Sequence, residues 1–218
     1  MVLRIDSQRY VSIASVVSCV LFSLSACSPS PPKPGPVGGE RAAPFAAAGG
    51  SEAHLVTGKT MPGAIVLLEP RTPREFPDQA RPPLMDQVSQ TFTPDVLFVR
   101  TGQPVGFRNS DDLLHNVNVR DDETKEQAFN VAIPGGAVYM FTFKRDGLYN
   151  VRCDIHPAMA ALVVASASPY TTAADAEGHF TFSDVVPGAY TATVYAGTSQ
   201  LTKDVDVSAP RTAITFDN

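Results

Sequence analysis

One seven-residue stretch of the chain carries a cysteine, a histidine and a methionine: Cys153-Asp154-Ile155-His156-Pro157-Ala158-Met159. Thiolate, imidazole and thioether groups together form a donor set that suits copper. A second histidine, His115, lies upstream in Leu114-His115-Asn116-Val117. A blue-copper site needs two imidazoles and one thiolate, with a weak thioether on the axis. The sequence therefore predicts a copper site with four ligands: His115, Cys153, His156 and Met159.

The spacing of these residues resembles that of the cupredoxins, the family of plastocyanin and amicyanin. The pattern C-x2-H-x2-M runs from Cys153 to Met159, and F-x-N-x5-H-N-V is carried by Phe107, Asn109, His115, Asn116 and Val117. The resemblance implies a Greek-key sandwich that gathers the ligands at one end. It also implies that Asn116 braces the ligand loop beside the metal ligands, although an ordinary turn asparagine is the alternative. Arg152 departs from the aromatic or histidine residue common before the cysteine.

The three cysteines have different surroundings. Cys19 lies in an apolar run that follows Arg4 and Arg9, and this layout predicts a signal peptide over residues 1–26. Leu24-Ser25-Ala26-Cys27 resembles the lipobox of bacterial lipoproteins, which implies that Cys27 is lipidated and becomes the new N-terminus. An uncleaved membrane anchor is the alternative, but the run is shorter than the ~20 residues needed to span a bilayer. Cys153 then stays as one unpaired thiol, held by a metal or buried as an inert apolar group.

Residues 27–53 are rich in Pro, Gly and Ala and predict a lipidated tether without a packed core. Ser28 follows the lipobox cysteine. By resemblance to Gram-negative lipoproteins, this implies sorting to the outer membrane, facing the periplasm. The expected location is the bacterial cell envelope, with membrane contact through the lipid anchor alone.

Beyond the tether the pattern is almost wholly β. Short runs of β-branched and aromatic residues, such as Val96–Val99 and Val138–Phe143, alternate with turn residues such as Pro134-Gly135-Gly136. No segment between them has a long helical period. The sequence therefore predicts an all-β protein, with a cupredoxin domain over residues 84–167.

The segment after Pro169 forms a different module. Its stretches Glu177-Gly178-His179-Phe180 and Val185-Val186-Pro187-Gly188-Ala189-Tyr190 resemble the carboxypeptidase regulatory-like domain, a small transthyretin-like sandwich. Gly178 and Pro187-Gly188 are predicted to form hairpin turns.

The two strands that normally open such a domain are missing after Pro169 and appear instead at 55–58 and 63–68. We expect a split sandwich of residues 54–70 and 169–218, with the cupredoxin domain inserted between its two parts. Two tandem domains remain the alternative.

The formal net charge of −5 and the absence of a clustered basic stretch argue against nucleic-acid binding. Acidic residues near the ligands, Asp111, Asp112 and Asp154, could steer a basic redox partner or simply confer solubility. The predicted function is a type 1 (blue) copper protein that binds one copper per chain and carries single electrons between envelope partners.

The resemblance extends to bacterial proteins described as plastocyanin-like or methylamine-utilisation-like, and a c-type cytochrome or a periplasmic dehydrogenase fits as partner. Periplasmic copper binding and delivery, or an envelope adhesion module with a structural copper site, are the alternatives. We expect no enzymatic activity, because no open coordination position or acid–base constellation is evident.

Overall fold

The computed structural model describes residues 54–216 of the 218-residue chain. The predicted signal peptide, the lipidation of Cys27 and the tether up to residue 53 lie outside these described residues. All regular secondary structure within residues 54–216 consists of β-strands, which confirms the predicted all-β fold. No helix among the described residues is long and apolar enough to cross a membrane.

The central sandwich, as we call residues 84–166, is formed by nine strands in two sheets. They are β3 (Leu84–Val88), β4 (Thr91–Thr93), β5 (Val96–Arg100), β6 (Pro104–Asn109), β7 (His115–Asp121), β8 (Gln127–Ile133), β9 (Val138–Thr142), β10 (Gly147–Arg152) and β11 (Ala160–Ser166). One sheet has the order β5-β11-β10-β7-β8, and the other has the order β4-β3-β6-β9. Side chains alternate between core and surface along these strands, as the period-two pattern requires. Their apolar faces meet in one core that contains Phe107, Phe143 and Val151.

The flanking sandwich, our name for the remaining strands, also has two sheets. Its strands are β1 (His54–Lys59), β2 (Ile65–Pro70), β12 (Thr171–Ala173), β13 (His179–Val185), β14 (Gly188–Ala196), β15 (Ser199–Val207) and β16 (Arg211–Thr215). β1 lies between β13 and β16, and β2 lies between β12 and β14. Strands from before and after the central sandwich therefore complete the same two sheets.

The core of the flanking sandwich follows the predicted alternation. Phe180 and Phe182 are buried on β13, and Tyr190 is fully buried on β14. The Tyr190 hydroxyl donates a hydrogen bond to the Val186 carbonyl at 2.5 Å, which fixes the turn that enters β14. Burial raises the pKa of Tyr190 to about 12, with a further contribution from Tyr170, so the hydroxyl stays protonated and able to donate.

The two predicted hairpins are wrong, although the turns themselves are present. Gly178 has φ +81°, a value that glycine adopts readily, and its N–H bonds to the Asp175 carbonyl at 3.0 Å. This turn leads from β12 in one sheet to β13 in the other, and Pro187-Gly188 likewise joins β13 to β14 in the opposite sheet. Turn residues define the local bend, whereas burial of the apolar faces decides which strands pair.

An apolar interface joins the two sandwiches. Ile65 and Leu67 on β2 pack against Val164 on β11, with half-buried side chains of the neighbouring strands around them. The connecting segment 71–83 contacts both sandwiches. Arg74 lies 3.3 Å from the Tyr190 hydroxyl, and the Gln79 side chain accepts the Arg100 N–H at 3.1 Å. The central sandwich is thus packed against its neighbour and not merely tethered to it.

These pairings predict how fragments of the chain behave. Residues 169–218 alone should not fold, because β14 and β13 would lose their partners β2 and β1 and leave an open core. Joining residues 53–70 to 169–218 through a short Gly/Ser linker should restore cooperative unfolding, measured by circular dichroism in urea. Cooperative unfolding of 169–218 by itself would contradict this expectation and favour two tandem domains.

Candidate metal centre

Strand pairing brings the two predicted ligand segments together. β7 begins at His115, and β10 ends at Arg152, immediately before Cys153. The two strands are antiparallel neighbours with Arg152 opposite Asn118, so the start of one lies beside the end of the other. Two ligand segments separated in sequence therefore meet at one end of the central sandwich.

Three of the four predicted ligands converge in the structure. The Nδ1 atoms of His115 and His156 are 2.9 Å apart, and the Cys153 sulfur lies 4.0 Å and 3.9 Å from them. A point in the plane of these three atoms lies about 2.1 Å from each, within the metal–nitrogen and metal–thiolate range of about 2.0–2.3 Å. Within residues 54–216, these are the only three His, Cys, Asp or Glu side chains whose ligand atoms lie close enough together to hold one metal ion. The donor set of two imidazoles and one thiolate fits copper.

Met159 closes the ligand loop from the core side. Its side chain is 2 % exposed, and its carbonyl accepts the Cys153 N–H at 3.3 Å. Its own N–H donates to the His156 carbonyl at 2.9 Å. These bonds make residues 153–159 a compact turn, in which Met159 is buried on the same side as Cys153. Its role as the axial ligand stays a prediction.

Asp111 orients His115 on the side away from the sulfur. Its carboxylate lies 2.9 Å from His115 Nε2, which assigns the proton to Nε2 and leaves the Nδ1 lone pair toward the site. The same carboxylate accepts the N–H groups of Ser89 and Gln90 at 2.6 Å and 2.8 Å. Hydrogen bonds from Gln90, His115 and Ser89 hold the pKa of Asp111 below its usual value. A carboxylate bound to a ligating histidine increases the basicity of that ligand.

The segment between β6 and His115 is held in place from two sides. The Asn109 side chain donates to the carbonyls of Leu113 and Ile133 at 2.8 Å and 2.7 Å and accepts the Asp111 N–H at 3.0 Å. Gly135 packs against this segment so closely that a Cβ atom there would lie 2.6 Å from the Asp111 carbonyl oxygen. Contacts of this kind leave little freedom for His115 to move.

Asn116 contacts the ligand loop through its side chain. Its Oδ1 accepts the Asp154 N–H at 2.7 Å and lies 3.4 Å from the Cys153 sulfur. The sulfur also accepts the His156 N–H at 3.4 Å. The Asn116 side chain therefore contacts the chain just after β10 ends, and its role in bracing the ligand loop stays a prediction.

The ligands differ sharply in exposure. His115 is 0 % exposed and Cys153 is 2 % exposed, whereas His156 is only partly buried. Exposed apolar side chains of Leu113, Leu114 and Ile155 share this end of the sandwich. We call these three side chains the apolar rim. The His156 imidazole is partly exposed at this end of the sandwich, whereas the Cys153 sulfur is buried.

Two acidic residues near the ligands support the site through hydrogen bonds, which their place in the sequence does not reveal. From the sequence, Asp111 and Asp154 are surface charges that steer a partner or confer solubility, whereas in the structure both carboxylates accept several hydrogen bonds from the protein. The position of Asp111 four residues before the ligand histidine offered a signal. No pattern in the sequence indicates that Asn118 and Asn130 bind Asp154, because the two asparagines are brought together only by the pairing of β7 with β8.

The fold and the donor set define a metal-binding β-sandwich. Residues 85–166 match the family model of copper binding proteins, plastocyanin/azurin family. The central sandwich is a cupredoxin domain, as the motifs predicted. Residues 160–215 match the model of polysaccharide lyase family 4, domain II, which fits the presence of a further β-sandwich. A comparison with curated protein sequences finds no match.

Several solved structures resemble part of the chain. A purple cupredoxin from Nitrosopumilus maritimus is 24% identical over 38% of this chain and 99% of its own, with a TM-score of 0.35. Amicyanin from Paracoccus versutus is 18% identical over 45% of this chain and 96% of its own, with a TM-score of 0.36. A copper-containing nitrite reductase from Thermus scotoductus SA-01 is 28% identical over 44% of this chain and 25% of its own, with a TM-score of 0.36.

The contact between Asp111 and His115 predicts an effect on metal affinity. Asp111→Asn should weaken copper binding about 10-fold, because the amide is neutral and supports a less basic imidazole. Competition with a chelator of known affinity measures this loss. Asp112→Asn is the matched control, since Asp112 is the adjacent exposed carboxylate. Equal affinities of the two variants would show that Asp111 does not act through His115.

Proposed function

We propose that this protein is a type 1 copper protein that carries single electrons and holds one copper ion with His115, Cys153, His156 and Met159. The observation that supports this most directly is the convergence of two imidazole nitrogens and one buried thiol sulfur at a single point. A copper ion held by such donors supplies one-electron redox chemistry. The match to a copper-binding family supports the choice of metal.

The burial of the ligands favours electron transfer over copper delivery. Delivery requires ligands that an acceptor can reach and replace one by one, whereas Cys153 and Met159 are each 2 % exposed. The contacts of Asp111 and Asn116 further restrict the movement of the ligand segments. A site that keeps its ligands in place suits an electron carrier, because little rearrangement accompanies each change of charge.

The apolar rim supports a docking role for this end of the domain. Leu113, Leu114 and Ile155 are each about half exposed, between 48% and 51%. A partner that covers them would come close to the half-buried His156 imidazole. The connections to the flanking sandwich leave from Leu84 and Ser166, at the ends of β3 and β11 opposite the ligand loop. The flanking sandwich therefore leaves the rim free for a partner.

The partner we propose is another redox protein of the envelope, either a c-type cytochrome or a periplasmic dehydrogenase. We also propose that the protein has no catalytic activity of its own, since four protein ligands would leave no coordination position for a substrate.

We further propose a lipoprotein in the bacterial envelope, anchored through Cys27 and facing the periplasm from the outer membrane. Residues 27–53 would then connect the anchor to β1 of the flanking sandwich.

The copper assignment predicts a colour. Protein that lacks residues 1–27 should bind one copper per chain and be blue when oxidised, because charge transfer from the Cys153 thiolate to copper absorbs visible light. Metal analysis with visible and electron paramagnetic resonance spectra tests both statements. A colourless Cu(II) complex with ordinary tetragonal hyperfine splitting would overturn the type 1 assignment and favour copper handling.

The two sulfur ligands should differ in their effects. Cys153→Ser should abolish the colour, because a hydroxyl is a hard and weakly acidic ligand. Met159→Leu should keep the colour and raise the reduction potential, since an apolar axial neighbour favours Cu(I). Voltammetry of the two variants beside the unchanged protein provides the measurement. Complete loss of copper from Met159→Leu would show that Met159 is not a weak axial ligand.

The anchoring proposal has a separate test. Metabolic labelling with a fatty acid should mark the unchanged protein and the Cys19→Ser variant but not Cys27→Ser, because the thioether to the lipid requires the Cys27 sulfur. Label that persists in Cys27→Ser would exclude this residue as the site of lipidation.

A further inference from the structure

Asp154, the residue that follows Cys153, lies outside the core and against the face of the five-stranded sheet. Its carboxylate accepts hydrogen bonds from three asparagine amides: Asn116 at 2.8 Å, Asn118 at 3.0 Å and 3.2 Å, and Asn130 at 2.9 Å. We call these four residues the Asp154 clamp. An ionised carboxylate only accepts hydrogen bonds and a side-chain amide nitrogen only donates them, so the partners are matched in type.

The sheet itself positions the three amides. Asn116 and Asn118 are two residues apart on β7 and therefore project from the same face. Asn130 on β8 is directly opposite Asn118 in the antiparallel pair. Their side chains are close enough to reach one carboxylate, as cross-strand neighbours are. The binding place for Asp154 thus belongs to the rigid part of the domain.

Asn116 joins the clamp to the ligand loop. Its Oδ1 accepts the Asp154 backbone N–H at 2.7 Å, while its Nδ2 donates both to the Asp154 carboxylate and to Asn130 Oδ1, each at 2.8 Å. Backbone and side chain of Asp154 are therefore held at the same time. Because Cys153 precedes Asp154, these bonds restrict the direction in which the Cys153 side chain enters the core.

We propose that Asp154 is a positioning residue, whose carboxylate anchors the ligand loop to β7 and β8 and so sets the position of the Cys153 sulfur relative to His115. The proposal rests on the proposed copper site for its spectroscopic consequences but not for its effect on the loop. Hydrogen bonds to an ionised group are stronger than those between neutral groups, so one carboxylate with three donors is an effective anchor. His115 is held by Asp111 from the opposite direction, so each of the two ligand segments has a carboxylate anchor.

The chain offers a matched control for this arrangement. Asn150 on β10 donates to the Asp122 carboxylate at 2.6 Å, which is the same type of contact in the same domain. Asn150 precedes the ligand loop by three residues, and its side-chain amide binds Asp122 and not Asp154. Asn150→Ala should therefore remove one asparagine–aspartate hydrogen bond from the domain and leave the Asp154 clamp unchanged.

The first experiment follows hydrogen exchange of the backbone N–H groups between residues 154 and 159, all but Pro157, in the metal-free protein. Asp154→Ala and Asn130→Ala should each accelerate exchange in this segment about 10-fold, whereas Asn150→Ala should leave it unchanged. The double variant Asp154→Ala/Asn130→Ala should exchange no faster than Asp154→Ala alone, because residues that act through one contact are not additive. Unchanged exchange in Asp154→Ala, or full additivity in the double variant, would overturn the proposal whether or not the protein binds copper.

The second experiment uses the copper-loaded full-length protein. Asn130→Ala touches no ligand, yet it should change the copper hyperfine splitting and accelerate copper release to a chelator about 10-fold, the lower end of the range for residues that support metal ligands. Asn150→Ala should match the unchanged protein in both measurements. Equal spectra and release rates for Asn130→Ala and Asn150→Ala would show that the clamp does not position the sulfur. Failure of the unchanged protein itself to bind copper would instead argue against the proposed function, with the exchange result still deciding the clamp.

Discussion

The pairing of β7 with β10 is the constraint on which the candidate site depends. It places Arg152, the last residue of β10, opposite Asn118 near the start of β7, so that the Cys153 sulfur lies 4.0 Å from His115 Nδ1. The loop then needs only a short compact turn to return His156 and Met159 to the same place. A change that shifted this register by one residue would send these side chains to the opposite face of the sheet.

Around this pairing, the polar side chains divide into two groups with different tasks. Asn109 and Asp111 hold the segment that precedes His115, and Asn116 and Asp154 hold the segment that follows Cys153. Most of their partners are backbone groups or side-chain amides fixed by the sheet. Asp111 and Asp154, which the sequence presents as surface charges, therefore help to hold the two ligand segments in place. Asp112 and the apolar rim are what a partner would meet.

The flanking sandwich has a different relation to the site. It packs through Ile65 and Leu67 against the β11 side of the five-stranded sheet, while the asparagines of the Asp154 clamp occupy the β7–β8 side of that sheet. The outer face of this sheet is apolar at β11 and polar at β7 and β8. The flanking sandwich therefore covers the apolar part and leaves the polar part uncovered. Because both connections leave opposite the ligand loop, the second sandwich can stabilise the domain without blocking it.

The sequence by itself determined the chemistry of the site and the class of the fold. Ligand types and their spacing lie within one short motif, and strand periodicity is a local property, so the donor set and the all-β fold could be read directly. Pairing between distant strands could not be read this way. The turns at Gly178 and Pro187-Gly188 were recognised but assigned to hairpins, because a bend does not reveal which sheet the next strand joins. Only the tertiary structure decided that Asp111 and Asp154 bind groups inside the protein, since their partners come from strands and turns that sequence distance does not connect.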